Sequence, residues 1–245
     1  EAYTQMFDAK RDETSRQEVW DLLQLMQDGL KSDDWVCAAM DYYARYGEDG
    51  FADFLRALER KVSADWICGL SPTRRIDGVH AILRAIESAP SRRDLLGSQA
   101  LSVDIETLES TISSKVYGRS FDKDLRLRLE DLYHGNAAFV MPLRLTVEHI
   151  LPQSPSEGSQ WTRDFDQEQL DYWTDRIGNL ILISRNKNAS LGNRDYERKR
   201  ERYFKSKIET FPNSMRIYQN FRTWTLNDLE ANQKEVVGRL MESYA

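Results

Sequence analysis

The chain has 245 residues, 40% hydrophobic and 30% charged, enough for a sizeable core in one or two domains. No apolar run is long enough to cross a bilayer and no signal-peptide pattern opens the sequence, so the expected compartment is the cytoplasm, with no membrane partner. The net charge of −6 argues against a polyanionic partner only if it is evenly spread, and Cys37 and Cys68, outside any CxxC pair, read as packing residues rather than disulfide or zinc ligands.

Glu1 rather than Met opens the chain, and the abrupt start at Tyr3, Met6 and Phe7 reads as a fragment of a longer protein. Helical stripes follow: Val19, Leu22, Leu23, Met26 and Leu30, then Trp35, Ala38, Ala39, Tyr42 and Tyr43, then Phe51, Phe54, Leu55 and Leu58. Turn residues separate them at 29–34, 47–50 and 71–72. Ser71-Pro72 predicts another helix carrying Ile76, Val79, Ile82, Leu83 and Ile86, closed by Pro90 and Ser91. Short helices are expected over 105–113 and 125–133, before Gly135-Asn136 breaks the pattern.

Near residue 140 the character changes. The spacing predicts a strand over 143–151 and a second over 177–183, joined by a long irregular insertion with a short helix at 166–173. Tyr196, Lys199, Tyr203 and Phe204 return to helical spacing. A last helix runs from Trp224-Thr225 through Met241, with Thr225 and Asp228 spaced for a cap. The fold class expected is α+β, mainly α: a helical connector or DNA-positioning domain over 1–140 and a small strand-strand-helix domain over 141–245.

Chemistry concentrates in Val147-Glu148-His149-Ile150-Leu151-Pro152, Ile177-Gly178-Asn179-Leu180-Ile181-Leu182 and Asn186-Lys187-Asn188. A histidine beside a carboxylate, with two downstream asparagines, supplies a general base and oxygen ligands for a hard cation. Adjacent strand residues face opposite ways, so Glu148 and His149 share one site only at a strand end or bulge. Between Arg185 and Lys207 lie nine basic residues against three acidic ones, a local excess of +6. That field beside the motif draws a phosphate backbone. Asn188 and Lys199 are eleven residues apart, which on a continuous helix returns to nearly the same face. His80 and His134 lack any comparable setting.

The order EHIxP, GNLxLxS, NxxxxN, YxxK and a closing WTxxDLExxQ resembles the C-terminal HNH-type nuclease domain of the GmrSD family of modification-dependent restriction endonucleases, over roughly 140–245. The resemblance implies a ββα-metal unit that hydrolyses phage or foreign DNA. It implies His149 as general base, Glu148 and Asn188 as ligands of Mg²⁺ or Mn²⁺, Asn179 as the residue that holds the hairpin, and Lys199 at the scissile phosphate. Arg185, Lys187, Arg194, Arg198 and Arg202 join Lys199 as expected DNA phosphate contacts, and Asn186 is a substitute ligand if the register moves by two. The family implies an upstream nucleotide-hydrolysing domain, whose DGQQR-like signature this sequence lacks. A narrower resemblance is to phosphorothioate-sensing phage-defence proteins of the same organisation. The alternative function is a non-catalytic DNA-binding or regulatory module using the basic helix at 194–207.

Overall fold

The computed structural model describes residues 14–134, 145–205 and 211–245. The expected break at Gly135-Asn136, the first residues of the predicted first strand and Lys207 lie outside them. Two compact units divide the chain after Leu108. The sequence changes character some thirty residues later, well inside the second unit.

The first unit is helical. Its main elements are α1 (Thr14–Gly29), α2 (Trp35–Tyr46), α3 (Phe51–Ile67), α4 (Pro72–Ser88) and the short α5 (Arg92–Leu96). Their apolar stripes meet in one core of Leu23, Met26, Trp35, Tyr42, Phe54 and Leu58, with Ile82 and Ile86 from α4. Ser71 caps α4 by accepting from Arg74 N, with Pro72 pre-set for the first turn. Cys37 is exposed rather than packed: it follows Trp35 by two residues, off the buried stripe.

Helix α6 (Ile105–Ile112) spans the division. The second unit continues with α7 (Asp122–His134), β1 (Leu145–His149), α8 (Gln160–Asp164), α9 (Gln167–Trp173), β2 (Leu180–Ser184), α10 (Arg185–Leu191), α11 (Tyr196–Phe204), α12 (Pro212–Asn220) and α13 (Leu226–Tyr244). Strands β1 and β2 pair antiparallel, from Leu145 opposite Ser184 to His149 opposite Leu180, and α10 follows β2 directly. The mainly helical α+β class is therefore observed. Trp161, Tyr196, Tyr203, Tyr218 and Trp224 fill a core against Ile181 and Ile183. The stack of Tyr196 on Trp224, with centroids 5.6 Å apart, ties α11 to the start of α13.

Three local devices shape this unit. Asp166 with Gln169, and Thr225 with Asp228, form reciprocal capping boxes that start α9 and α13. At Gly178, an added Cβ would lie 2.7 Å from the Gln233 Cα, so only glycine lets α13 come this close. Gly192, at φ +52°, ends α10. Asn188 and Lys199 thus sit on separate helices, and the expectation that a continuous helix aligns them does not hold.

Candidate active site

Strand alternation separates the two residues at the centre of the motif. Glu148 is 4% exposed and points to α11, where Lys199 Nζ donates to its Oε1 at 2.5 Å. Lys199, 0% exposed, also donates to the carbonyls of His149 at 2.7 Å and Ile150 at 3.0 Å. An ammonium has three donors, and all three are used. Burial pushes the Glu148 carboxyl up and the Lys199 amine down, each opposed by the other's charge. The lysine expected at a phosphate instead fastens the end of β1 to α11.

Glu148 does not fit as a cation ligand in this arrangement. Its Oε1 is already held by a buried ammonium, and a cation at this carboxylate would bring a second positive charge beside Lys199. Asn188 is half-buried, and its Nδ2 donates to Thr146 Oγ1 at 3.1 Å and to the Val147 carbonyl at 2.7 Å. It contacts the face of β1 that carries Thr146 and Glu148, not the face of His149. Among the described residues, no group of three or more His, Cys, Asp or Glu side chains is placed to hold a metal. Asn186 is exposed on α10.

His149, 9% exposed, looks the other way. Its Nε2 lies 3.2 Å from Asp175 Oδ1, which also accepts from Gln153 Nε2 at 3.1 Å. A carboxylate oxygen accepts, so the ring proton sits on Nε2, leaving the Nδ1 lone pair without a hydrogen-bond partner among the described residues. The Tyr117 ring stands edge-on to the imidazole, 4.4 Å between centroids. Burial holds the His149 pKa below its ordinary value; the Asp175 carboxylate opposes this, and the charges of Lys199 and Arg126 add to it. Arg126, on α7, is buried in an ion pair with Asp122, and its Nε has no hydrogen-bond partner among the described residues.

The hairpin end that carries His149 is clamped from behind. Asn179, 0% exposed, accepts from Leu151 N at 2.7 Å and donates to the Leu151 carbonyl at 2.9 Å and the Thr174 carbonyl at 2.8 Å. Its amide continues the strand pairing one step past His149 and draws in the segment that holds Asp175. Trp224 Nε1 reaches Asn179 Oδ1 at 3.4 Å, Asn232 donates to the Gly178 carbonyl at 2.6 Å, and Gln233 accepts from Gly178 N at 2.7 Å. The closing WTxxDLExxQ stretch therefore grips the GN of the middle motif.

The basic run divides as sharply as the motif does. Lys187 is buried, its Nζ donating to the carbonyls of Arg202, Tyr203 and Lys205, so it caps the C-terminus of α11 and does not face a phosphate. Arg185, Arg194, Arg198 and Arg202 are exposed. Arg194, Arg198, Arg202 and Lys205 line a groove of about 720 Å³ with Ser156 and Ser159. The Arg198–Glu201 pair at 3.0 Å is solvent-exposed and worth little.

Sequence reasoning did not single out Asp175, Tyr117 or Arg126. Asp175 had a usable signal, an acid five residues before Leu180, the strand partner of His149. Tyr117 and Arg126 arrive by tertiary packing from segments with no motif of their own.

No curated protein and no solved structure matches the chain. No helix among the described residues is long and apolar enough to cross a membrane. The family model for the C-terminal domain of GmrSD restriction endonucleases matches residues 102–238, more than half of the sequence and all of the hairpin, its clamps and the basic helix. The chain belongs to the GmrSD restriction endonucleases through their C-terminal domain.

Proposed function

We propose that this nuclease domain hydrolyses DNA phosphodiester bonds by HNH-type chemistry, with His149 as general base and Asp175 as the group that orients it. The observation that carries the reading is the Nε2 to Asp175 contact, which frees Nδ1 to take a proton from water. The water oxygen then bonds to phosphorus, the bond to the 3′ oxygen breaks, and that oxygen takes a proton from solvent, leaving a 5′-phosphate and a 3′-hydroxyl. An imidazole held below its ordinary pKa is neutral, and competent as a base, throughout the neutral range. Asn179 acts from behind by fixing the backbone on which His149 stands.

Dependence on Mg²⁺ or Mn²⁺ is part of this proposal. When bound, the ion would supply charge stabilisation at the phosphate. The expected Glu148 and Asn188 pair does not fit it, and no step is assigned to it. Arg185, Arg194, Arg198 and Arg202 are proposed as backbone contacts, and restriction of phage or other foreign DNA as the setting, with a nucleotide-hydrolysing domain upstream.

The test is cleavage of supercoiled plasmid with Mg²⁺, Mn²⁺ or chelator, comparing wild type with His149→Ala, Asp175→Asn and Asn188→Ala. Metal-dependent cleavage lost in His149→Ala and reduced in Asp175→Asn supports the reading; undiminished cleavage by His149→Ala removes His149 as the base. A second reading, DNA binding without catalysis, is favoured by the groove lined by Arg194, Arg198 and Arg202. DNA binding with no cleavage under any metal condition would select it.

A further inference from the structure

The segment that links α6 to α7 lies against His149 and Asp175 and belongs to none of the motifs. Its backbone is pinned. Val116 N and Tyr117 N both donate to the Asp175 carbonyl, at 2.9 and 3.1 Å, and Lys115 bridges Arg176. Arg176 Nη1 donates to the Ser113 carbonyl, and Gly118 N donates to Asp122 Oδ2 at 3.0 Å, with Gly118 at φ +76° making the turn. Val116, 0% exposed, anchors the segment inward.

This fixed backbone displays an aromatic residue between two basic ones. Lys115, Tyr117 and Arg119 are all exposed, Tyr117 to 40%, while its ring makes a T-shaped contact with the His149 imidazole. Neither Lys115 nor Arg119 forms an ion pair among the described residues. From Ser113 to Phe121 the sequence holds two basic residues and no acidic one, in a chain of net charge −6. An exposed tyrosine alone is ordinary, but this one touches the candidate base and is flanked by two cations that form no ion pair among the described residues. That combination suits a strand of nucleic acid, whose bases stack on aromatic faces and whose phosphates match the cations.

We propose that residues 115–119 form the wall of the active site along which the cleaved DNA strand runs, with Tyr117 stacking the nucleotide next to the scissile phosphate and Lys115 and Arg119 holding the flanking phosphates. This rests on the nuclease reading for its place in catalysis, but not for its affinity for DNA. The wall is preorganised: its amides donate to the Asp175 backbone carbonyl and the Asp122 carboxylate, and Arg176 donates to it, so the backbone that carries the orienting carboxylate also holds the stacking ring.

The experiment is anisotropy of a labelled DNA oligonucleotide with the 245-residue chain in chelator, where no metal-dependent cleavage interferes, over a salt series. Tyr117→Ala weakens binding about 10-fold and Tyr117→Phe retains it, since stacking needs the ring and not the hydroxyl. The double variant Lys115→Ala/Arg119→Ala reduces the log–log salt slope by about 1.4 to 1.8, for two phosphate contacts. This variant does not touch His149, so it tests the proposal even if Tyr117→Ala melts early. Wild-type affinity and slope in both variants overturn the wall, as does tighter binding of the matching RNA oligonucleotide than of DNA. Plasmid cleavage by wild type separates the two claims. Cleavage with unaffected variant binding removes the wall and keeps the nuclease; weakened variant binding without cleavage keeps the wall and removes the nuclease.

Discussion

The two faces of β1 near its end have opposite environments. On one, Glu148 and Lys199 are buried in an ion pair, with the three Lys199 donors used on Glu148 and two backbone carbonyls. On the other, His149 meets Asp175, whose side chain is 32% exposed, and the half-exposed ring of Tyr117. A dry, satisfied pair has nothing left to offer a substrate. A histidine with one nitrogen engaged and one lone pair free, beside groups that reach solvent, does. Neighbours in sequence thus divide one motif into an anchoring half and the half to which the proposal assigns the chemistry, as strand alternation requires.

The sharpest way to break this comparison is to remove the chemical half. His149→Ala lowers the cleavage rate about 10²- to 10⁴-fold, the range for a lost general base. Because the imidazole is buried and packs on Tyr117 but makes one side-chain hydrogen bond, the thermal midpoint falls by less than it does for Lys199→Met. A large fall in midpoint with modest loss of rate would place His149 among the anchoring residues instead.

The anchoring half answers to stability. Lys199→Met leaves the Glu148 carboxylate buried without its partner, which costs about 3–5 kcal/mol, and adding Glu148→Gln recovers part of it. Denaturant unfolding of the two variants reads this directly. If Lys199→Met kept wild-type stability and lost only cleavage, Lys199 would return to the phosphate.

Next in size are shifts of the pH profile. In the proposed mechanism His149 works neutral, and its pKa is lowered, so cleavage is expected to be maximal above the ordinary imidazole value of about 6.5 and to fall only as pH drops through the lowered value. The charged groups acting on it are Asp175, which raises the pKa, and Lys199 and Arg126, which lower it. Asp175→Asn therefore moves the acid limb to lower pH, while Arg126→Met moves it up toward 6.5. Limbs that move together, or not at all, would show that another group controls the rate.

Much of this was legible in the sequence, for local reasons. The capping boxes at Asp166 and Thr225, the helical stripes through Tyr42 and Phe54, and the paired runs around His149 and Leu180 are set by residues close in the chain. Gly178 and Asn179 were legible as a pair but not in their cause, which is the approach of Gln233 and Trp224 from some fifty residues away. The partners of Lys199 and Lys187 were illegible because charge reads as exposure in a sequence. Helix packing buried one against a strand end and the other against a helix end, where backbone carbonyls replace water. Asp175 and Tyr117 reach His149 only through the fold.

The smallest contrast lies within the basic run itself. Lys187 caps three carbonyls at the end of α11, whereas Arg198 stands in the open groove. A buried cation at a helix C-terminus is worth up to about 2 kcal/mol, and an exposed surface residue lies within about 0.5 kcal/mol of neutral. Lys187→Met should therefore lower stability by about 1–2 kcal/mol and leave the salt dependence of DNA binding unchanged. Arg198→Ala should do the reverse, keeping stability and reducing the salt slope by about 0.9, one phosphate contact. Melting curves and a salt titration on the same two proteins suffice. If Lys187→Met flattened the slope at wild-type stability, the lysine would be facing DNA in solution and the cap would not exist; with the expected result, the same +6 run serves both to close a helix and to meet a polyanion.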